Sequence, residues 1–295
     1  MKNFLIRAIT GILFVAIVVT CFLDPRAMVL LFALVTGLTV WEFTGLVNQR
    51  GNDDEAPVHV TVNRFICTVA GVYFFFAVAY FCSDVYGGSA KSMVFIPYLV
   101  TVVYLLVAEL YGKQPDPINN WAYTMLSQMY IALPFSLINV LAFTATPDGR
   151  VMFNTILPLS VFVCLWLNDT GAYCVGSLLG RHKLFPRISP GKSWEGSIGG
   201  AVVVLLVAWA IHYFLLDPDH TGQAILPLAE WLGLSLTIVV FGTWGDLVES
   251  LFKRTLGIKD SGNILPGHGG MLDRFDSSLL AIPAAVIYLY TLTLF

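Results

Sequence analysis

Charge is what this chain has least of. Only 12% of its 295 residues are charged and 57% are hydrophobic, whereas a soluble globular domain carries about 25% charged residues. So little polar cover excludes an ordinary water-facing surface, and the mean hydropathy of +0.77 points to lipid as the solvent. Cysteine is also sparse. Cys21, Cys67, Cys82, Cys164 and Cys174 all fall within or beside apolar runs, with no paired metal-ligand spacing; they read as small buried hydrophobes, which excludes a thiolate metal site. There is no internal repeat, no soluble domain and no low-complexity linker. The longest polar gap among the early apolar runs, Asn48–Asn63, reads as a surface loop.

Long apolar runs are abundant instead. A helix needs roughly 20 mostly apolar residues to cross the hydrocarbon core. Runs of that kind predict spans near Phe4–Leu23, Ala27–Val47, Arg64–Cys82, Ser92–Tyr111, Trp121–Phe143, Met152–Leu179, Gly196–Leu216, Gln223–Leu247 and Ser277–Phe295. The expected fold class is therefore all-α, a polytopic integral membrane protein of about nine transmembrane helices. It reads as an N-terminal helical region (1–150, about five helices) and a C-terminal catalytic region (151–295, about four helices with two basic loops). No small-residue cleavage site follows the first run, so it is expected to be a retained helix. Pro134 and Pro227 fall inside two of the spans, where a kink is tolerated within a bundle. The basic residues are unevenly placed. Arg26, Lys91 and Arg150 occupy one set of alternate loops and ends; the rest of the 16 Lys and Arg occupy the other. The positive-inside rule puts the N-terminus and both basic loops in the cytoplasm.

The chemistry-bearing residues collect in those two loops. The first, Gly180–Gly196, and the second, Ser250–Asp276, both mix cations with Gly, Pro and Ser. Glycines let backbone N–H groups close around anionic oxygens, and Lys and Arg supply charge and donors to phosphate. Attraction to anionic headgroups would explain the cations alone, but not the aspartates among them. Asp246, Glu249, Ser250 and Lys253 are spaced i, i+3, i+4 and i+7, which places them along one helix face. Asp273 and Asp276 are three apart, and would project together if that turn is helical. Clustered carboxylates without Cys or paired His suit a hard cation such as Mg²⁺. Asp169 lies deep in an apolar run, where an ionisable residue is a functional candidate by default; a structural ion pair between helices is the competing reading. His268 sits in a glycine-flanked turn that would present its imidazole to a phosphate or a proton, with plain solvation as the alternative. Glu42 and Glu109, near predicted span ends, read as structural.

These residues resemble a known signature. Ser250-x-x-Lys253-Arg254, Lys259-Asp260, Pro266-x-His268-Gly269-Gly270 and Asp273-Arg274-x-Asp276 are similar to the signature of the phosphatidate cytidylyltransferases, also called CDP-diacylglycerol synthases. Asp169–Tyr173, Ser189–Gly196 and Gly245–Ser250 look like three further elements of that family, with Ser193 in place of its usual Thr. The resemblance is dense from Asp169 to Asp276 and rests before that on hydropathy and length. It implies a dimeric, Mg²⁺-dependent enzyme of the cell inner membrane that makes CDP-diacylglycerol from CTP and phosphatidic acid, with no nucleic-acid partner. It also implies Asp246, Asp273 and Asp276 as metal carboxylates, with K⁺ as a candidate second cation. Lys253 and Asp169 join those three as expected catalytic residues. Ser189, Lys192, Ser250, Arg254, Lys259, Asp260, His268, Gly269, Gly270 and Arg274 are expected to bind substrate.

In that reaction a phosphate oxygen of the lipid attacks the α-phosphorus of CTP. The nucleophile is already anionic, so positioning and charge stabilisation carry the catalysis. Two other readings stay open. One is a different lipid phosphotransferase, moving an alcohol or polyprenyl phosphate; its CDP-alcohol class would show an Asp-Gly-x-x-Ala-Arg motif, which is absent from the sequence. An anion transporter would show paired, broken helices near mid-membrane, whereas the ionisable residues here gather at one face.

Overall fold

The computed structural model describes residues 2–51, 60–83, 91–145, 150–218, 225–264 and 269–293. Among them, eight helical segments are long and apolar enough to cross a membrane, from Pro25–Gln49 to Leu272–Leu292, and Ile9–Cys21 is a shorter apolar one. The protein is an all-α, multi-pass membrane protein. Two short antiparallel hairpins are the only strands among the described residues. The chain divides into two compact units: residues 1–156 with 255–275, and residues 157–254 with 276–295.

The first unit contains α1 (Lys2–Cys21), α2 (Pro25–Gly51), α3 (Arg64–Ser83), α4 (Ile96–Gly112), α5 (Pro117–Leu126) and α6 (Leu133–Ala142). Its core is aromatic. Phe32, Phe135 and Phe275 are fully buried, and Phe135 and Phe275 meet edge-on at 5.6 Å, a geometry the ring quadrupole favours. Polar side chains pin the helix ends. Asn48 holds both backbone groups of Val62, at 2.7 and 2.9 Å. Glu109 accepts the Asn120 amide at 3.0 Å, the structural role its position suggests. The predicted span over Trp121–Phe143 is one continuous helical segment, Pro117–Ala142, in which α5 and α6 are joined by a π-helical turn at Ser127–Ala132. Pro134 falls in the first turn of α6, where its missing N–H is harmless, and the wider turn before it absorbs the change of register.

Three span ends differ from expectation. Phe143 and Met152 belong not to helices but to a hairpin of β1 (Phe143–Ala145) and β2 (Val151–Phe153). Pro227 lies just before a helix rather than inside one, its carbonyl accepting the Trp231 N–H at 2.9 Å.

The second unit contains α7 (Ile156–Leu179), the hairpin β3 (Lys183–Phe185) and β4 (Ser189–Ser193), then α8 (Trp194–Ile211) and α9 (Leu228–Thr255). After α10 (Leu272–Phe275) of the first unit, α11 (Ser278–Leu292) completes the second. Small residues bring α7 and α8 together. A Cβ on Gly200 would stand 2.6 Å from Asn168 Oδ1, and one on Gly171 would stand 3.1 Å from the Gly200 Cα. Gly196 and Gly200 form the small-xxx-small spacing that lets membrane helices approach closely. Trp231 of α9 donates its indole N–H to the Ala208 carbonyl of α8 at 3.0 Å.

Candidate active site

The first basic loop is not irregular: it is the β3–β4 hairpin. Lys183 pairs with Ser193 and Phe185 with Ser189. Ser193 then caps α8, its hydroxyl accepting the Gly196 N–H at 3.1 Å. The hydroxyl at this position therefore starts a helix, a role that Ser and Thr both fill. One residue before the cap, Lys192 points into a cavity of about 390 Å³ in the second unit, lined also by Asp169, Tyr173, Ser177, Ser197 and Thr243. Asp169 thus lines the same cavity as Lys192.

From the hairpin, Lys192 also forms an ion pair with Asp246 of α9. The predicted face of α9 is real. Ser250 donates to Asp246 Oδ1 at 3.2 Å, and Lys253 pairs with Glu249 at 2.7 Å. The Lys253 side chain is 12% exposed and that of Glu249 is fully buried, so the ammonium neutralises an interior carboxylate on its own helix. Arg254 donates from Nε to the Ile188 carbonyl at 3.5 Å, at the tip of the hairpin.

Asp276 lies in the turn before α11 and accepts the Ser277 N–H at 2.5 Å. That turn approaches α9 where Gly245 has no side chain; a Cβ there would stand 2.8 Å from the Asp276 carbonyl. Asp276 is half-buried and within electrostatic reach of Asp246, Asp169 and Lys192. Asp169, Lys192, Asp246 and Asp276 are thus brought together in one unit. Ser189, Ser250, Lys253 and Arg254 belong to the same unit.

Asp273 is placed differently. It does not share a helical turn with Asp276, because α10 ends at Phe275 and α11 begins at Ser278. It belongs to the first unit with Lys259, Asp260, Gly269, Gly270 and Arg274. There its Oδ2 accepts the N–H groups of Ser261 and Gly270, each at 2.8 Å. Gly269 adopts φ +82°, a left-handed conformation that glycine takes without strain. Glu42 of α2 ties this segment down: it accepts the Ser261 hydroxyl at 2.5 Å and the N–H groups of Met271 and Leu272 at 2.9 and 3.1 Å. The structural reading of Glu42 therefore holds, and its full extent is visible only in the fold. Lys259 and Asp260 are exposed, and Arg274 lies 6.0 Å from the ring of Phe14. His268 lies outside the described residues.

Among the described residues, no three His, Cys, Asp or Glu side chains form a ready-made metal cage. The donors near Lys192 are nonetheless all oxygen, and Asp246 already holds a cation in the form of the Lys192 ammonium. That fits Mg²⁺, which takes one or two carboxylates and completes its shell with water and substrate phosphate.

A many-helix membrane protein with a cation–carboxylate cluster beside a cavity is of the class that handles phosphorylated substrates at the bilayer. The chain belongs to the cytidylyltransferase family, whose model matches residues 5–292, and it is a nucleotidyltransferase. It is 36% identical over 227 residues to the phosphatidate cytidylyltransferase of Staphylococcus haemolyticus (strain JCSC1435), covering 76% of this chain and 80% of that one. It is 50% identical over 131 residues to the enzyme of the same name from Staphylococcus aureus (strain COL), covering 44% of this chain and 48% of that one.

Proposed function

We propose that this protein transfers the cytidylyl group of CTP to phosphatidic acid, giving CDP-diacylglycerol and pyrophosphate for phospholipid synthesis. The observation that carries the reading is the Lys192–Asp246 pair beside a cavity that Lys192 and Asp169 line, with Asp276 in electrostatic reach. A lipid phosphate oxygen forms a bond to the α-phosphorus of CTP; the bond from that phosphorus to the β-bridging oxygen breaks, and its electron pair leaves on pyrophosphate. Lys192 leaves Asp246 to neutralise phosphate oxygens, which relieves repulsion between the two anionic reactants. Asp246 and Asp276 would hold Mg²⁺, with Asp169 beside them. The metal supplies Lewis-acid stabilisation of phosphoryl charge. K⁺ is proposed as a second cation and a homodimer as the working assembly, both by resemblance to the family. The Lys and Arg distribution supports insertion in the cell inner membrane with the N-terminus and the site on the cytoplasmic side.

The test is direct. Protein purified in detergent should convert phosphatidic acid to CDP-diacylglycerol with equimolar pyrophosphate, dependent on CTP and Mg²⁺ and abolished by EDTA. Absence of both products across several acyl compositions would send the assignment to another phospho-lipid substrate.

A further inference from the structure

Lys192 reaches its cavity from a two-stranded hairpin, and a pair of strands alone is marginally stable in water. Something must hold the hairpin, and Glu195 is placed to do it. The side chain sits in the first turn of α8, behind the Ser193 cap. The carboxylate turns back to the start of the hairpin. Oε2 accepts the Arg181 N–H at 3.1 Å, and both oxygens lie 3.2 Å from the His182 nitrogen. Oε1 also meets His182 Nδ1 at 2.5 Å. Beside it, the Trp194 N–H donates to the His182 carbonyl at 2.9 Å. Glu195 therefore closes the hairpin on the two backbone amides that lead into β3, three residues beyond Lys192 on the returning strand. At the other end, Arg254 holds the Ile188 carbonyl.

We propose that Glu195 is a positioning residue: it locks the base of the β3–β4 hairpin, and through it sets the Lys192 ammonium in the cavity. This rests on the cytidylyltransferase reading for its activity test, but not for its structural test. The sequence gives a faint signal, an acidic residue in the first turn of a helix that a serine already caps.

Two measurements decide it. In hydrogen–deuterium exchange, Glu195→Ala should raise exchange at residues 181–193 while residues 200–211 keep their protection; Glu195→Gln, which retains one acceptor oxygen, should lie between. Turnover of Glu195→Ala should fall on the order of 100-fold, as for a misplaced catalytic group. Because Glu195 acts through Lys192, adding Glu195→Ala to Lys192→Ala should cost less than about twofold more. Lys192→Arg replaces Lys192→Ala if the latter has no measurable rate, and Glu195→Gln replaces Glu195→Ala if that variant does not fold. Unchanged hairpin exchange, or losses that multiply in the double variant, would overturn the proposal. An inactive wild-type enzyme would overturn only the functional reading and leave the exchange result to judge the clamp.

Discussion

Three lysines of the second unit have three different surroundings, and a scan should separate them. Lys183 is exposed on β3. Lys192 is part-exposed and paired with Asp246. Lys253 is nearly buried against Glu249. Removing one partner of a buried pair leaves the other charge uncompensated, at a cost of about 3–5 kcal/mol. Lys253→Ala should therefore lower the melting temperature in detergent strongly, and Glu249→Leu with Lys253→Met should recover most of it. Lys192→Ala should leave melting nearly unchanged, since part-exposed pairs contribute about 0–1 kcal/mol, while turnover falls by orders of magnitude. Lys183→Ala should change neither. If Lys183→Ala is as damaging to turnover as Lys192→Ala, the loops act by bulk charge alone. Sequence spacing correctly puts Lys253 on the face of Asp246. It could not reveal that Glu249 claims the ammonium, because that depends on which part of the face becomes interior.

At the scale of elements, helices are legible and their junctions are not. The i, i+3, i+4, i+7 pattern identifies α9 through Lys253 because one periodicity dictates it. By contrast, Gly180–Gly196 reads as a loop, since Gly191 and Pro190 are poor strand residues and the hairpin depends on the more distant carboxylate of Glu195. The turn between α10 and α11 is hidden for a similar reason: it is set by the approach of residues 276–277 to Gly245, which no local pattern records. Glycines divide accordingly. Gly200→Val should destabilise the protein by roughly 1–3 kcal/mol, the usual cost of overpacking, because a Cβ there meets Asn168 oxygens at 2.6 and 2.8 Å. Gly191→Ala should melt like wild type, since a Cβ there meets nothing within 4 Å. Equal melting of the two variants would mean that the α7–α8 approach is not tight.

For the whole molecule, the apolar runs announce nearly every span, because hydrocarbon imposes a length and composition that no other environment demands. Sidedness is then a matter of charge placement. In a cysteine-free background, Phe185→Cys and Lys259→Cys should react with a membrane-impermeant thiol reagent only after the cytoplasmic face is opened, and Arg150→Cys in intact cells. All three positions are exposed. Labelling of positions 185 and 259 from opposite faces would contradict the orientation proposed from the Lys and Arg distribution. The division of Ser250–Asp276 between two units was not legible, because the signature is continuous in sequence and only the contacts show where it parts.

The Glu42 knot carries a consequence for how the chain is made. Its carboxylate is buried in α2, and its hydroxyl donor lies 219 residues later, at Ser261. At about 5–20 residues per second, a ribosome takes roughly 10–40 s to deliver that partner. During this interval the nascent N-terminal bundle holds an acid whose native donors do not yet exist. A chain stalled or truncated before residue 261 would keep that deficit permanently. Its N-terminal helices would be in place while the Glu42 carboxylate still lacked the donors that residues 261, 271 and 272 supply.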